Sequence, residues 1–169
     1  MRRTLVLSAA LALCALTNAS QAQSPTDAAR RIIGTWRLVS WTERLADGTT
    51  RPDPRNVGYI VYGDAGYVCY ASMAANRTPW KSENRPTPEE ALAAMDVPFN
   101  SYCARFEIHA DEGFVLHHTE VDKVPNMIGR ARKRWFTFQG QNRLALRRDP
   151  SELAPPVVES TLLWERVQK

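Results

Sequence analysis

The chain has 169 residues, which corresponds to about one domain and argues against a multidomain organisation. Beyond residue 22, no apolar run is long enough to span a bilayer, which needs roughly 20 residues. The net charge is +4, but Arg2 and Arg3 lie in the first 22 residues, which hold no acid. The remaining 20 basic and 18 acidic side chains leave a net charge of +2, so nucleic acid is not an expected partner.

The first 22 residues have the three parts of a secretory signal peptide. Arg2 and Arg3 make the start positive, residues 5–16 are almost entirely apolar, and the small residues Ser20 and Ala22 precede the expected cleavage site. We therefore predict export to the periplasm or the medium, with residues 23–169 forming the mature domain.

Three alternatives accompany this prediction. Cleavage can also follow Ala19, and a retained membrane anchor is the minor interpretation because the apolar run is short. Cys14 suggests a lipoprotein, although Leu13 before it is bulkier than a lipobox usually allows.

Removal of the signal peptide leaves two cysteines, Cys69 and Cys103. Two cysteines in an oxidising compartment favour a disulfide. The alternative is a pair of small buried apolar side chains. Both interpretations remain open, because pairing depends on a geometry that the sequence does not show.

Eight segments have the residue types and flanking turns of β-strands. They are residues 33–43, 58–62, 67–71, 102–109, 114–121, 133–138, 144–147 and 157–167. Turn residues at 63–66, 110–113 and 139–142 predict three hairpins. Many short strands at close spacing indicate a sandwich or a barrel, so the predicted fold class is all-β. Eight strands closed into a barrel leave an interior just wide enough for side chains or one small ligand.

One short helix is predicted between the third and fourth strands. Thr87 and Glu90 form a capping box with Pro88 at the first helical position, and Pro98 marks the end. A second short helix is expected from Thr26 towards Arg31, where it would plug one end of a barrel.

Several motifs in fixed order resemble the lipocalin-like domain family of bacteria and fungi. They are residues 34–41 with the G-x-W motif, Gly66 and Tyr67, residues 87–90, Tyr102, Phe106 and Glu107, residues 117–120 with the H-H-x-E motif, Pro125, Gly129, and residues 163–166. The similarity extends from about residue 33 to 167 and implies an antiparallel up-and-down barrel with a pocket, more firmly than it implies an activity. The two cysteines depart from the family pattern.

The resemblance also implies structural roles for Gly34, Trp36 and Arg166. In lipocalins the tryptophan of G-x-W closes one end of the barrel, and an arginine near the last strand stacks on its ring. Arg166 stands at the matching place, and cation–π attraction gives such a stack a physical basis.

The H-H-x-E motif is the densest polar cluster on an otherwise apolar strand. Alternation allows only one of the two histidines to face the interior. We expect His118 and Glu120 to do so, because their face also carries the larger apolar residues Phe114 and Leu116. A structural or ligand-orienting pair is favoured, and the alternative is a general base with its orienting carboxylate. The sequence does not predict a metal site, because adjacent histidines on a strand diverge.

A basic run supplies a candidate for binding an acid. Arg132, Arg134, Phe136 and Phe138 share one strand face, which would put Arg134 near the cavity mouth, opposite a ligand carboxylate. The alternative is a solvated strand end. The predicted ligand-binding residues are Tyr62, Tyr70, Phe106, His118, Arg134 and Phe136. Tyr67 and Tyr102 either line the wall or fill the core.

The function predicted from the sequence is binding of a small amphipathic or hydrophobic molecule in the barrel, with an anionic molecule as one option. The alternatives are an isomerase- or cyclase-type acid–base enzyme that uses His118 and Glu120, and a structural or interaction barrel with a filled core. No cofactor or metal is expected, and the oligomeric state is left open.

Overall fold

A computed structural model describes residues 25–81 and 85–168, so the predicted signal peptide lies outside the described residues. The helices are α1 (Pro25–Ile32) and α2 (Pro88–Asp96), with short 3-10 helices at Pro125–Met127 and Pro150–Glu152. The strands are β1 (Gly34–Leu45), β2 (Thr50–Pro52), β3 (Val57–Tyr62), β4 (Tyr67–Met73), β5 (Phe99–His109), β6 (Phe114–Asp122), β7 (Ala131–Gln139), β8 (Arg143–Arg148) and β9 (Val157–Arg166).

The strands form a closed antiparallel barrel. Neighbouring strands pair in the order β1-β3-β4-β5-β6-β7-β8-β9, and β9 pairs with β1 to close the sheet. The short β2 lies outside this ring and pairs with residues 42–44 of β1. The all-β, eight-stranded up-and-down barrel is therefore confirmed, with β2 as the strand that the sequence did not predict.

Alternation along the strands separates the interior from the outer surface. On β3, Ile60 and Tyr62 are buried while Tyr59 and Val61 are exposed. This two-residue period is the one expected when one sheet face packs on a core and the other meets water. The largest apolar side chains of the core are Trp36, Trp164, Tyr62, Ile32, Ile60, Leu144 and Leu146.

One end of the barrel is plugged by α1 and the start of β1. Trp36 donates its indole N–H to the carbonyl of Ile32 at 2.8 Å, and the Arg166 guanidinium lies 4.1 Å above the Trp36 ring. Arg166 also donates to the carbonyls of Ile33 and Arg31. Gly34 has a φ of 132°, and a β-carbon there would lie 2.6 Å from the Arg166 guanidinium. Both the backbone and the close approach therefore require glycine.

Helix α2 lies between the third and fourth strands of the barrel, as the capping box predicted. Glu90 donates its backbone N–H to the Thr87 hydroxyl, and the Glu90 carboxylate accepts from the Thr87 backbone N–H. Among the described residues, no helix is long and apolar enough to cross a membrane.

Cys69 and Cys103 form a disulfide. They lie directly opposite each other on β4 and β5, with a Cα–Cα distance of 4.2 Å. The bond is on the outer surface of the barrel, where Cys69 is exposed. The disulfide interpretation is confirmed, and the alternative of two buried apolar side chains is wrong. A disulfide is consistent with an oxidising compartment.

Candidate ligand-binding site

A cavity of about 60 Å³ lies at the end of the barrel opposite α1. It is lined by Trp41, Arg55, Ile60, Tyr70, Asn100, Tyr102, Arg132, Arg134, Leu146, Arg148, Leu162 and Trp164. A water molecule needs roughly 10–15 Å³ of such space, whereas pockets for drug-sized ligands span about 300–1,000 Å³. The cavity therefore has room for several waters or for the polar group of a small molecule.

Arginine dominates the polar lining of this cavity. Arg132 and Arg134 point inward from alternate positions of β7, and Arg148 follows the inward Leu146 at the end of β8. Arg55 reaches the cavity from the loop between β2 and β3. Among the described residues, no aspartate or glutamate lines the cavity. The space between these side chains is therefore positively charged.

Three carboxylates lie behind the arginines and partly balance them. Asp53 holds Arg55 with a contact of 2.5 Å, and Asp122 pairs with Arg132. Glu152 accepts from one guanidinium nitrogen of Arg134 through both of its oxygens, each at 2.8 Å. Buried charges need such partners, because an unpaired one carries a large desolvation cost.

Arg148 is the fourth guanidinium and differs from the other three. It donates to the backbone carbonyl of Glu152 at 2.9 Å, and among the described residues it forms no ion pair with a carboxylate. Burial and the charge of Arg134 lower the pKa of Arg148. Among the described residues, three carboxylates therefore pair with three of the four guanidinium groups, and the charge of Arg148 has no carboxylate partner.

Aromatic rings form much of the remaining wall. The Arg55 guanidinium lies 4.0 Å above Trp41, whose indole N–H donates to the Ser160 hydroxyl at 2.8 Å. Tyr70 packs against Tyr102 with 5.1 Å between ring centres, and burial raises the pKa of Tyr70 to about 12. The cavity thus combines flat apolar walls with a few fixed cations, as is usual for small-molecule sites.

His117 is the histidine inside the barrel, and it is fully buried. Its Nε2 lies 2.9 Å from the Tyr62 hydroxyl, and its Nδ1 lies 2.8 Å from the Tyr102 hydroxyl. Burial, with the charges of Arg134 and Arg132, holds the pKa of His117 well below its ordinary value. The imidazole is therefore neutral at physiological pH.

The expectation that His118 and Glu120 face the interior is wrong. Both are exposed, with His118 3.4 Å from Glu107 and Glu120 paired to Arg105. The apolar Phe114, whose size suggested an inward face, is instead buried on the outside of the barrel, between the His109 ring and Trp135. The general-base pair considered from the sequence therefore has no access to the cavity.

The other predicted ligand-binding residues divide between the cavity and the packed core. Arg134 and Tyr70 line the cavity. Tyr62 points inward but contacts His117, and Phe106 packs edge-on against Tyr62 at 5.2 Å. Phe136 packs against Phe138 at 5.7 Å. Tyr62, Phe106 and Phe136 are not among the cavity-lining residues, because this part of the barrel is filled by side chains.

Sequence reasoning missed several residues of the site. Alternation with the apolar Leu144 and Leu146 is a signal that would have placed Arg148 on the inner face. Alternation already put Arg132 on the same face as Arg134 in the sequence analysis, and it puts His117 inside when β6 is read in its actual register. Arg55 has no such signal, because it lies in a loop whose path the sequence does not show.

The described residues hold no group of three or more histidine, cysteine, aspartate or glutamate side chains arranged to bind a metal ion. The polar chemistry of the cavity is instead that of hydrogen-bond donors: four guanidinium groups, the hydroxyls of Tyr70 and Tyr102, and the Asn100 amide. Such a donor set suits an anionic oxygen ligand.

A closed eight-stranded barrel, with one end plugged by a helix and a stacked arginine, is a barrel of the lipocalin type. A family model described as a lipocalin-like domain matches residues 33–167. The chain therefore belongs to the lipocalin-like domain family, which confirms the resemblance noted in the sequence. No match is found among curated proteins.

Proposed function

We propose that this chain is an exported lipocalin-like protein that binds a small organic anion, of the carboxylate class, at the arginine-lined end of its barrel. The observation that carries the proposal is the uncompensated charge of Arg148 in a cavity lined by four guanidinium groups and by no acid among the described residues. A carboxylate would balance this charge with charge-assisted hydrogen bonds.

The size and walls of the cavity narrow the ligand class. A volume of about 60 Å³ accommodates an acid group and little more, so the rest of a larger ligand extends towards the mouth. The rings of Trp41 and Tyr70 offer flat surfaces to an aromatic or other planar body. A small aromatic or conjugated monocarboxylate fits these features.

Benzoate and benzamide provide a direct test, because they share a shape and differ in charge. We expect calorimetric titration to show benzoate binding at least about tenfold more tightly than benzamide, since hydrogen bonds to a charged group are roughly twice as strong as neutral ones. Equal binding of the two, or binding of neither, would contradict the proposal and favour a structural barrel with a filled core.

Arg148→Met tests whether the unpaired charge of Arg148 contributes to ligand binding. It keeps much of the side-chain length but removes the charge, so we expect benzoate to bind about tenfold more weakly while benzamide is unaffected. Arg147→Met is the matched control, because Arg147 points to the outer surface over Trp135. An equal loss in both variants would show that the charge at position 148 has no specific role.

Native mass spectrometry after mild extraction addresses the natural ligand. We expect a co-purified molecule with an acid group, retained by the wild type and lost from Arg148→Met. Export is tested separately by locating the mature chain in cell fractions and by determining its N-terminus, which we expect to follow Ala22.

A further inference from the structure

A chain of three hydrogen-bonded side chains crosses the barrel interior and ends at the cavity. The Tyr62 hydroxyl lies 2.9 Å from His117 Nε2, and the Tyr102 hydroxyl lies 2.8 Å from His117 Nδ1. The exposed fractions are 1% for Tyr62, 0% for His117 and 5% for Tyr102. Of the three, only Tyr102 lines the cavity, where the Arg132 guanidinium lies 4.6 Å above its ring.

The direction of these hydrogen bonds is limited by the chemistry of a neutral imidazole. Such a ring has one N–H donor and one acceptor nitrogen, so one tyrosine donates to His117 while the other accepts from it. Burial and the nearby positive charges of Arg134 and Arg132 keep the ring neutral. Two arrangements are therefore available, and they differ in which ring nitrogen carries the hydrogen.

In the first arrangement, Tyr102 donates to Nδ1, and the Nε2–H group donates to the oxygen of Tyr62. The Tyr62 O–H then needs an acceptor of its own. The only hydrogen-bond partner of that hydroxyl among the described residues is His117 itself. This arrangement leaves a fully buried donor unpaired, which is unfavourable.

In the second arrangement, Tyr62 donates to Nε2, and the Nδ1–H group donates to the oxygen of Tyr102. The donors of Tyr62 and His117 are then both paired. The remaining donor is the Tyr102 O–H, which is buried but belongs to the one residue of the three that lines the cavity, where a water molecule or a ligand can accept from it. The tautomer of a histidine is commonly set in this way, by the partner of its other nitrogen.

We propose that Tyr62 holds His117 in the Nδ1–H tautomer, and that His117 is thereby a positioning residue that makes the Tyr102 hydroxyl a donor to the acid group of a ligand. The tautomer of His117 follows from the protein alone, whereas the identity of the group that accepts from the Tyr102 O–H, the acid group of a ligand, rests on the proposed function. Tyr102 then adds one directional, uncharged donor to the four cations of the site.

The tautomer is measurable in the ligand-free protein by long-range ¹H–¹⁵N correlation spectra of the histidine rings. The chain has only three histidines, and the His117 signals are assigned by their absence in His117→Gln. We expect protonation at Nδ1. Protonation at Nε2 would overturn the proposal, whatever the protein binds.

Benzoate binding tests the role of the donor. We expect Tyr102→Phe to weaken benzoate binding by about tenfold, because it removes a hydrogen bond to a charged group. Tyr59→Phe is the matched control, since Tyr59 lies on the outer surface. Unchanged binding in Tyr102→Phe would overturn the assignment of this hydroxyl as a ligand donor.

A double-mutant cycle shows whether His117 acts through Tyr102. We expect His117→Gln to weaken benzoate binding in the wild-type background and to have little further effect in Tyr102→Phe. Additive losses would contradict the positioning role. If His117→Gln does not fold, the wild-type spectrum and the Tyr102→Phe titration still decide the question. If the wild type does not bind benzoate, the proposed function fails, and the spectrum alone decides between the tautomers.

Discussion

Each end of the barrel has an arginine stacked on a tryptophan, but the arginine has different oxygen partners at the two ends. At the end plugged by α1, Arg166 stacks 4.1 Å above Trp36, and at the cavity Arg55 stacks 4.0 Å above Trp41. Both tryptophans are on β1. The difference lies in the oxygens that each guanidinium contacts: Arg166 donates to backbone carbonyls, whereas Arg55 pairs with the carboxylate of Asp53.

This difference separates a structural end from a candidate binding end. Backbone carbonyls are fixed by the main chain and cannot rotate away to make room for a ligand, so the Arg166 stack closes its end of the barrel permanently. Carboxylates at the other end belong to a network in which, among the residues that the structure describes, the guanidinium groups outnumber the carboxylates by one and Arg148 has no carboxylate partner. We expect substitutions at the plug to change stability, and substitutions at the cavity to change stability and binding together.

The largest effect is expected from Trp36→Ala. Trp36 is fully buried and supports both α1 and Arg166, so the free energy of unfolding should fall by about 3–5 kcal/mol. Urea denaturation measures this loss. The folded fraction should still bind benzoate with wild-type affinity. A loss of binding by the folded protein would contradict the division between the two ends.

Glu152→Gln should give an intermediate effect on stability. It breaks the buried pair with Arg134, and we expect a loss of about 2–3 kcal/mol. The same change frees a second guanidinium, so benzoate should bind several-fold more tightly. Glu159→Gln is the control, because its pair with Arg44 is exposed and should contribute less than about 1 kcal/mol. The expected gain in affinity assumes that Glu152 and benzoate compete for the Arg134 guanidinium. Weaker benzoate binding in Glu152→Gln would contradict this.

The smallest effect is a pH dependence that arises from His117, between the two ends. Because its pKa in the folded state is well below the ordinary value of 6.5, the unfolded chain takes up a proton below pH 6.5 and the folded chain does not. Acidification therefore favours unfolding. From pH 7.5 to pH 5.5 this contribution should lower the free energy of unfolding by about 1 kcal/mol.

Denaturation of His117→Gln and of wild type at both pH values isolates this contribution. The variant should lose less stability on acidification than wild type, by about 1 kcal/mol. Equal losses in wild type and His117→Gln would mean that His117 is protonated in the folded state.

Much of the barrel was predictable because its signals are local. Turn residues at 63–66, 110–113 and 139–142 mark the hairpins, and the Thr87–Glu90 capping box marks the start of α2. The inner face of β6 was not predictable in this way, because both of its faces carry apolar side chains. Phe114 and Leu116 made the His118 face resemble the interior, and only pairing with β5 and β7 places His117 there.

The residues of the candidate site also divide into those with a local sequence signal and those placed by the folded barrel. Residue types and alternation predict the order of the strands along the chain and put Arg132 and Arg134 on one strand face. That Arg55 and Arg148 join them, and that three carboxylates stand behind the four guanidinium groups, follows only from the folded barrel. Turns and alternation depend on neighbouring residues, whereas the net charge of a cavity depends on which strands and loops meet when the barrel closes.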